Sequence, residues 1–193
     1  MLVSEKKLAF IRNQIQDLEF NFDLSKKFKS TSDYYRENIR THLITEYSSH
    51  FNRTQLANLS DLNIIPEASV GYFSISHCQS VGGFSFSNLI HGFDAEVISR
   101  ISNPIITRTS SEAERSEAAD IKFLWVAKEA AFKAYGRTHS QLLLTDFICE
   151  NWQSHSETGI YSFRIKSEKT LDSKINKGFL FSEEDVLLAV YFR

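Results

Sequence analysis

Two carboxylates stand two residues apart in Gly92-Phe93-Asp94-Ala95-Glu96. Further on comes a charged segment, Trp125-Val126-Ala127-Lys128-Glu129-Ala130-Ala131-Phe132-Lys133. On a strand, side chains at i and i+2 point to the same side, so Asp94 and Glu96 are neighbours there. Neighbouring carboxylates repel unless a cation lies between them. Oxygen ligands of this kind suit magnesium, which keeps some of its waters and shares phosphate oxygens with a substrate. A solvated strand end whose acids bind nothing is the other reading. Trp125, Lys128, Glu129, Phe132 and Lys133 fall at i, i+3, i+4, i+7 and i+8, one face of a helix. Glu129 and Lys133 are then either an i,i+4 surface ion pair, worth about 0.3–0.5 kcal/mol, or members of a site. Two large aromatics share their face, which is odd for a plain solvated surface.

Three further groups can meet a phosphate. Ser76-His77 puts a hydroxyl and an imidazole at a strand end just before Gly82-Gly83. Arg36 and Arg40 lie one helical turn apart, so their planar forks can clasp an anion together; solvated helix residues are the plainer reading. Other chemistries lack their residues. No G-x-x-x-x-G-K-[ST] phosphate loop occurs. Nothing beside Ser76-His77 completes a Ser/His/Asp pattern. The other histidines (His42, His50, His91, His139, His155) form no ligand spacing, and neither do Cys78 and Cys149.

The elements that must position these groups are legible in outline. Leu8, Ile11, Ile15, Leu18 and Phe22 recur at helical spacing, so the first 60 residues read as helical. Ser30 to Ser32 with Asp33 and Glu37 resembles a helix start, with Tyr35, Ile39 and Leu43 inward; a shorter helix is expected at Gln55 to Leu59. Tyr72 to Ser76 and Phe84 to Ser87 alternate as strands around Gly82-Gly83, and a third strand is expected from His91 to Val97. Ser99 to Ser111 reads as a connector. Residues 112–136 read as one long helix rich in Ala, Glu and Lys, stopped by Gly136. Strands are expected near Leu142 to Cys149, Ile160 to Lys166, Gly178 to Phe181 and Val186 to Phe192. Helices, strands, a long helix, then strands make an α+β chain rather than an alternating α/β one.

Bulk properties narrow the partners. The 193 residues can bury a sizeable core. A net charge of −2 offers no global attraction for nucleic acid or an anionic membrane. The polar start and the two separate cysteines predict a cytoplasmic protein, and no apolar run is long enough for a bilayer.

In order and spacing, Ser76-His77, Gly92-x-Asp94-x-Glu96 and Trp125-x-x-Lys128-Glu129-Ala130-x-x-Lys133 resemble the 4′-phosphopantetheinyl transferase superfamily. The match covers residues 72–136, and the length is similar to the larger single-chain type. That resemblance implies a pseudo-dimer of two α+β halves, residues 1–98 and 99–193, each with a long helix on antiparallel strands. It implies transfer of the phosphopantetheine arm of coenzyme A to a serine of an acyl or peptidyl carrier protein, with release of 3′,5′-ADP. Asp94, Glu96 and Glu129 would hold magnesium, and Glu129 would also be the base. Lys133, with Lys128 as a second candidate, would meet the phosphate. Ser76 and His77 would bind coenzyme A phosphate, and Arg36 and Arg40 would meet its 3′-phosphate. Glu112 resembles a helix-start glutamate of the family and reads as capping support. A monomer is implied. The stretch Pro66 to Gly71 lacks the lysine of the family's Gly-Lys-Pro, which keeps a non-catalytic binder of coenzyme A or carrier protein as the alternative.

Overall fold

The computed structural model describes residues 3–58, 70–136, 141–169 and 175–193. In chain order its elements are α1 (Glu5–Asn13), β1 (Phe20–Ser25), α2 (Tyr35–Tyr47), α3 (Arg53–Asn58), β2 (Tyr72–His77), β3 (Gly82–Ser87), β4 (His91–Val97), α4 (Asn103–Thr109), α5 (Glu112–Glu117), α6 (Ile121–Gly136), β5 (Ile148–His155), β6 (Ile160–Lys166), β7 (Lys177–Glu183) and β8 (Val186–Phe192). This is α+β, with a three-stranded sheet in the order β1-β3-β2 and a five-stranded sheet in the order β4-β8-β7-β6-β5. The described neighbours in both sheets pair antiparallel.

The first stretch is less helical than its spacing suggests. Only Leu8 and Ile11 of the apolar series belong to α1. Phe20-Asn21-Phe22-Asp23-Leu24 alternates with period two and pairs with β3 as an edge strand. The helix starting near Tyr35 buries Ile39 and Leu43 as expected. Its N-cap is Tyr34 in the left-handed region, not one of the upstream serines. The expected helix end at Leu59 and the Pro66 to Ser69 stretch lie outside the described residues.

Two further differences concern the helices around the site. The 99–111 connector contains α4, with Pro104 in its first turn, where a missing N–H costs nothing. The single helix over 112–136 is two. Ser111 and Glu114 form a capping box that starts α5, so Glu114, not Glu112, does the capping. Ala118 then turns to extended backbone, and the Asp120 carboxylate accepts from the Lys122 amide to start α6. Before β5, Leu144–Asp146 forms a short 3₁₀ turn, so that strand begins later than expected.

The five-stranded sheet is covered on both faces. Ala127, Ala130, Ala131, Ala134 and Leu124 of α6 pack on one face against Phe163, Leu180, Ala189 and Tyr191. On the other face Leu8, Ile11 and Phe20 meet Phe93, Phe181, Leu188 and Phe192. Strand β8 is buried at all its positions, as befits an inner strand with two covered faces. The three-stranded sheet packs Phe73 and Phe84 on Ile39 and Leu43 of α2. The split between the sheets does not fall at residue 98, since β4 belongs to the five-stranded one.

The two sheets meet along β2 and β4, and side chains make the join. Ser74 Oγ accepts from the Phe93 amide at 2.9 Å, and Ser76 Oγ accepts from the Ala95 amide at 3.1 Å. Strand β4 therefore pairs with β8 on one edge and satisfies donors of its other edge with serine hydroxyls. A buried amide left without an acceptor costs about 1–3 kcal/mol. Below this seam, Gly92 brings β4 against α6. A Cβ at Gly92 would overlap the Ala130 carbonyl oxygen and crowd the Ala134 amide. Gly92→Ala should therefore lower stability by about 1–3 kcal/mol, as overpacking does. In a thermal melt that is about 2–4 °C for each kcal/mol at this size; an unchanged melting temperature would contradict the close approach.

Candidate active site

Seam and close approach together create an open cleft of about 320 Å³ lined by Ile75, Ser76, His77, Asp94, Ala95, Glu96, Trp125, Glu129 and Lys133. Each wall follows from its element. Gly92, Asp94 and Glu96 alternate onto the α6 side of β4, because Gly92 lies under Ala130 and Ala134. Trp125, Glu129 and Lys133 are spaced by four on α6 and make one ridge facing β4. Ser76 and His77 end β2 beside them.

The contacts inside are specific. Lys133 Nζ lies 2.7 Å from Asp94 Oδ1 and 3.0 Å from Ser76 Oγ. Ser76 Oγ donates to Asp94 Oδ1 at 2.9 Å. The ammonium thus pairs with Asp94, and among the described residues no ion pair links Lys133 to Glu129. Glu96 accepts from the Val97 amide at 2.8 Å. Burial, and then the charge of Asp94, push the Glu129 carboxyl up to about 7, with Lys133 pulling the other way and Glu96 adding to the rise. Burial also raises Glu96. His77 is held below its usual range by burial first, then by Lys133 and Arg36.

The structure sorts the expected residues. Asp94, Glu96, Glu129, Lys133, Ser76 and His77 share the cleft. Arg36 stands at its margin: its Nε donates to the Tyr35 hydroxyl, and the Tyr35 ring packs edge-on against His77, with centroids 4.6 Å apart. Arg40 is buried at 8% exposure, unlike the exposed Arg36 one turn away.

Lys128 lies elsewhere. Its ammonium is fully buried, 2.7 Å from Glu114 Oε1, and donates to the Thr109 carbonyl at 2.7 Å. The reason is angular: one residue before Glu129 on a helix is a turn of about 100°, which aims Lys128 at α4 and α5. Glu114 also accepts from the Cys149 and Ser111 amides. This clamp ties α4, α5, α6 and β5 together. Sequence reasoning missed Glu114, although Ser111-x-x-Glu114 is a capping signature.

The donor set fits a hard divalent cation. Three carboxylates stand against one ammonium in the cleft; burial is the first cause of the raised Glu129 carboxyl, and the charge of Asp94 adds to it. Among the described residues no three His, Cys, Asp or Glu side chains are gathered tightly enough to hold an ion by themselves. Magnesium rarely relies on such all-protein cages; one or two carboxylates, waters and substrate oxygens complete its shell.

No family model matches the chain, and no curated protein matches it. Among the described residues no helix is long and apolar enough to cross a membrane.

Two outcomes follow. Lys128→Met leaves Glu114 buried without its counter-charge and should cost about 3–5 kcal/mol. Adding Glu114→Gln, which removes that charge and keeps an acceptor for one of the Cys149 and Ser111 amides, should recover part of it; equal denaturant midpoints for all three proteins would contradict the clamp. For Glu129, the folded chain holds the proton more tightly than the unfolded chain, whose carboxyl titrates near 4.5. The stability this confers is full below pH 4.5 and is lost as pH rises through about 7. In chelator, Glu129→Gln should melt with the wild type at about pH 4.5 and above it at pH 8, by a few degrees. A gap that does not grow with pH would contradict the assigned environment.

Proposed function

We propose that the chain transfers the 4′-phosphopantetheine arm of coenzyme A to a serine of an acyl or peptidyl carrier protein, releasing 3′,5′-ADP. The supporting observation is convergence. Residues from three sequence segments, Ser76-His77, Asp94 with Glu96, and Glu129 with Lys133, line one cleft. Any one of these pairs is common on protein surfaces; the common cleft is what supports a site.

In this reading the carrier serine oxygen attacks the phosphorus that bears the pantetheine arm. A new P–O bond forms, the bond to 3′,5′-ADP breaks, and the serine proton passes to Glu129. Without a cation, burial and Asp94 raise this carboxyl to about 7; Lys133 opposes the rise, and a bound cation would hold Glu129 in the ionised form that a base requires. Lys133 carries positive charge beside the reacting phosphate, and its bond to Asp94 fixes its direction. His77 donates to a coenzyme A phosphate, with Arg36 adding positive charge at that end. Asp94, Glu96 and Glu129 are the residues that would hold magnesium, which neutralises charge on the pyrophosphate when bound.

The two parts of the fold support, within this reading, a pseudo-dimer: α2 covers the three-stranded sheet and α6 the five-stranded one. The same reading makes the protein a cytoplasmic monomer without nucleic-acid or membrane partners. Lys128, tied to Glu114, is assigned to the framework and not to the phosphate.

The test is direct. The protein is incubated with apo carrier proteins, coenzyme A and magnesium, and carrier mass is followed. Addition of one phosphopantetheine is expected, and Glu129→Gln should slow it by about 10²–10⁴-fold while the chain stays folded. No addition on any of several carriers would reject the transferase. Saturable coenzyme A binding without transfer would favour a non-catalytic binder.

A further inference from the structure

We infer that Ser76 is a positioning residue: its hydroxyl sets Lys133 against Asp94 across the seam and does not contact the nucleotide. A serine hydroxyl has one proton to donate and two lone pairs to offer. At Ser76 all three are used. The proton goes to Asp94 Oδ1 at 2.9 Å, and the lone pairs take the Ala95 amide at 3.1 Å and the Lys133 ammonium at 3.0 Å. The residue is 4% exposed. A phosphate oxygen reaching it would have to displace one of these partners.

The position of the hydroxyl is itself determined. Pairing of Ser76 with Gly83 in the β2–β3 ladder fixes β2, and the Ala95 amide fixes the oxygen against β4. From that point the hydroxyl touches an acid on β4 and a lysine on α6 at once. It is the described group that joins three elements at the Lys133–Asp94 pair.

Ser74 is a built-in control. It sits two residues earlier on the same side of β2 and accepts from the Phe93 amide at 2.9 Å. It does not line the cleft. Losing its hydroxyl removes a seam bond of the same kind without touching Asp94 or Lys133.

The experiment compares Ser76→Ala, Ser76→Thr and Ser74→Ala with the wild type by two readouts. The kinetic one rests on the transferase reading. Ser76→Ala should lower kcat by about 10- to 100-fold, the scale of a small misplacement, with KM for coenzyme A changed by less than about twofold. Ser76→Thr, which keeps the hydroxyl, should restore most of kcat. Ser74→Ala should lower the melting temperature and leave kcat near the wild-type value. The second readout needs no activity: the rate at which a water-soluble acylating ester modifies Lys133, followed by peptide mass. That rate should rise several-fold in Ser76→Ala only.

A raised KM with intact kcat in Ser76→Ala would overturn the inference, since that is loss of a nucleotide contact. Equal losses of kcat from Ser74→Ala and Ser76→Ala would overturn it as well, because the seam alone would account for both. If the wild type transfers nothing, the transferase reading falls and Lys133 labelling alone decides the role of Ser76. If Ser76→Ala does not fold, Ser76→Cys, which has a weaker donor and acceptor, carries the same comparison.

Discussion

Two hydroxyl-to-amide bonds, from Phe93 to Ser74 and from Ala95 to Ser76, hold the three-stranded sheet to the edge of the five-stranded one. The cleft borders the Ser76 end of that join. An open strand edge with buried donors must find acceptors or lose stability. Here side chains supply them, so β2 approaches β4 without extending its ladder. The approach brings the end of β2, with His77, beside the acids of β4.

The second constraint is the tight contact between β4 and α6. Gly92 and the alanines of α6 remove the side-chain bulk that would separate them. Closeness concentrates charge: Asp94, Glu96 and Glu129 share a partly buried cleft with a single ammonium. Burial and mutual repulsion then raise Glu129. The Lys128–Glu114 clamp on the flank of α6 restrains the rotation of the helix that presents Glu129 and Lys133. A network of this kind trades stability for a defined arrangement, as functional sites commonly do. A divalent cation, or a phosphate-bearing ligand with its metal, would relieve the repulsion among Asp94, Glu96 and Glu129.

The sequence was most readable where one periodicity dominated. His91–Val97 alternates cleanly, and its bounds are those of β4. Gly136 marks the end of α6. It was least readable where two periods overlapped: Leu8 to Phe22 fits a helical spacing, yet Phe20, Phe22 and Leu24 also fit a strand, and the partner strand β3 decides between them. Composition concealed the break before α6, since Ala, Glu and Lys run through it and only Ser111 and Asp120 mark the starts. Within the site, spacing placed Glu129 and Lys133 on one helix face but could not separate Lys128 from them. That separation needs the position of Glu114, which belongs to another element. Likewise the use of every bonding position on Ser76 depends on β4 and α6, which no spacing within β2 reports.

In the proposed function, one cleft between β2, β4 and α6 takes coenzyme A with a divalent cation. The most direct measurement is a titration of the ¹⁵N-labelled chain with coenzyme A and magnesium, following backbone amides. Shifts concentrated at Ile75 to His77, Asp94 to Glu96 and Trp125 to Lys133, and growing only when both ligands are present, are the expected result. Shifts centred elsewhere, or none at saturating ligand, would contradict the account.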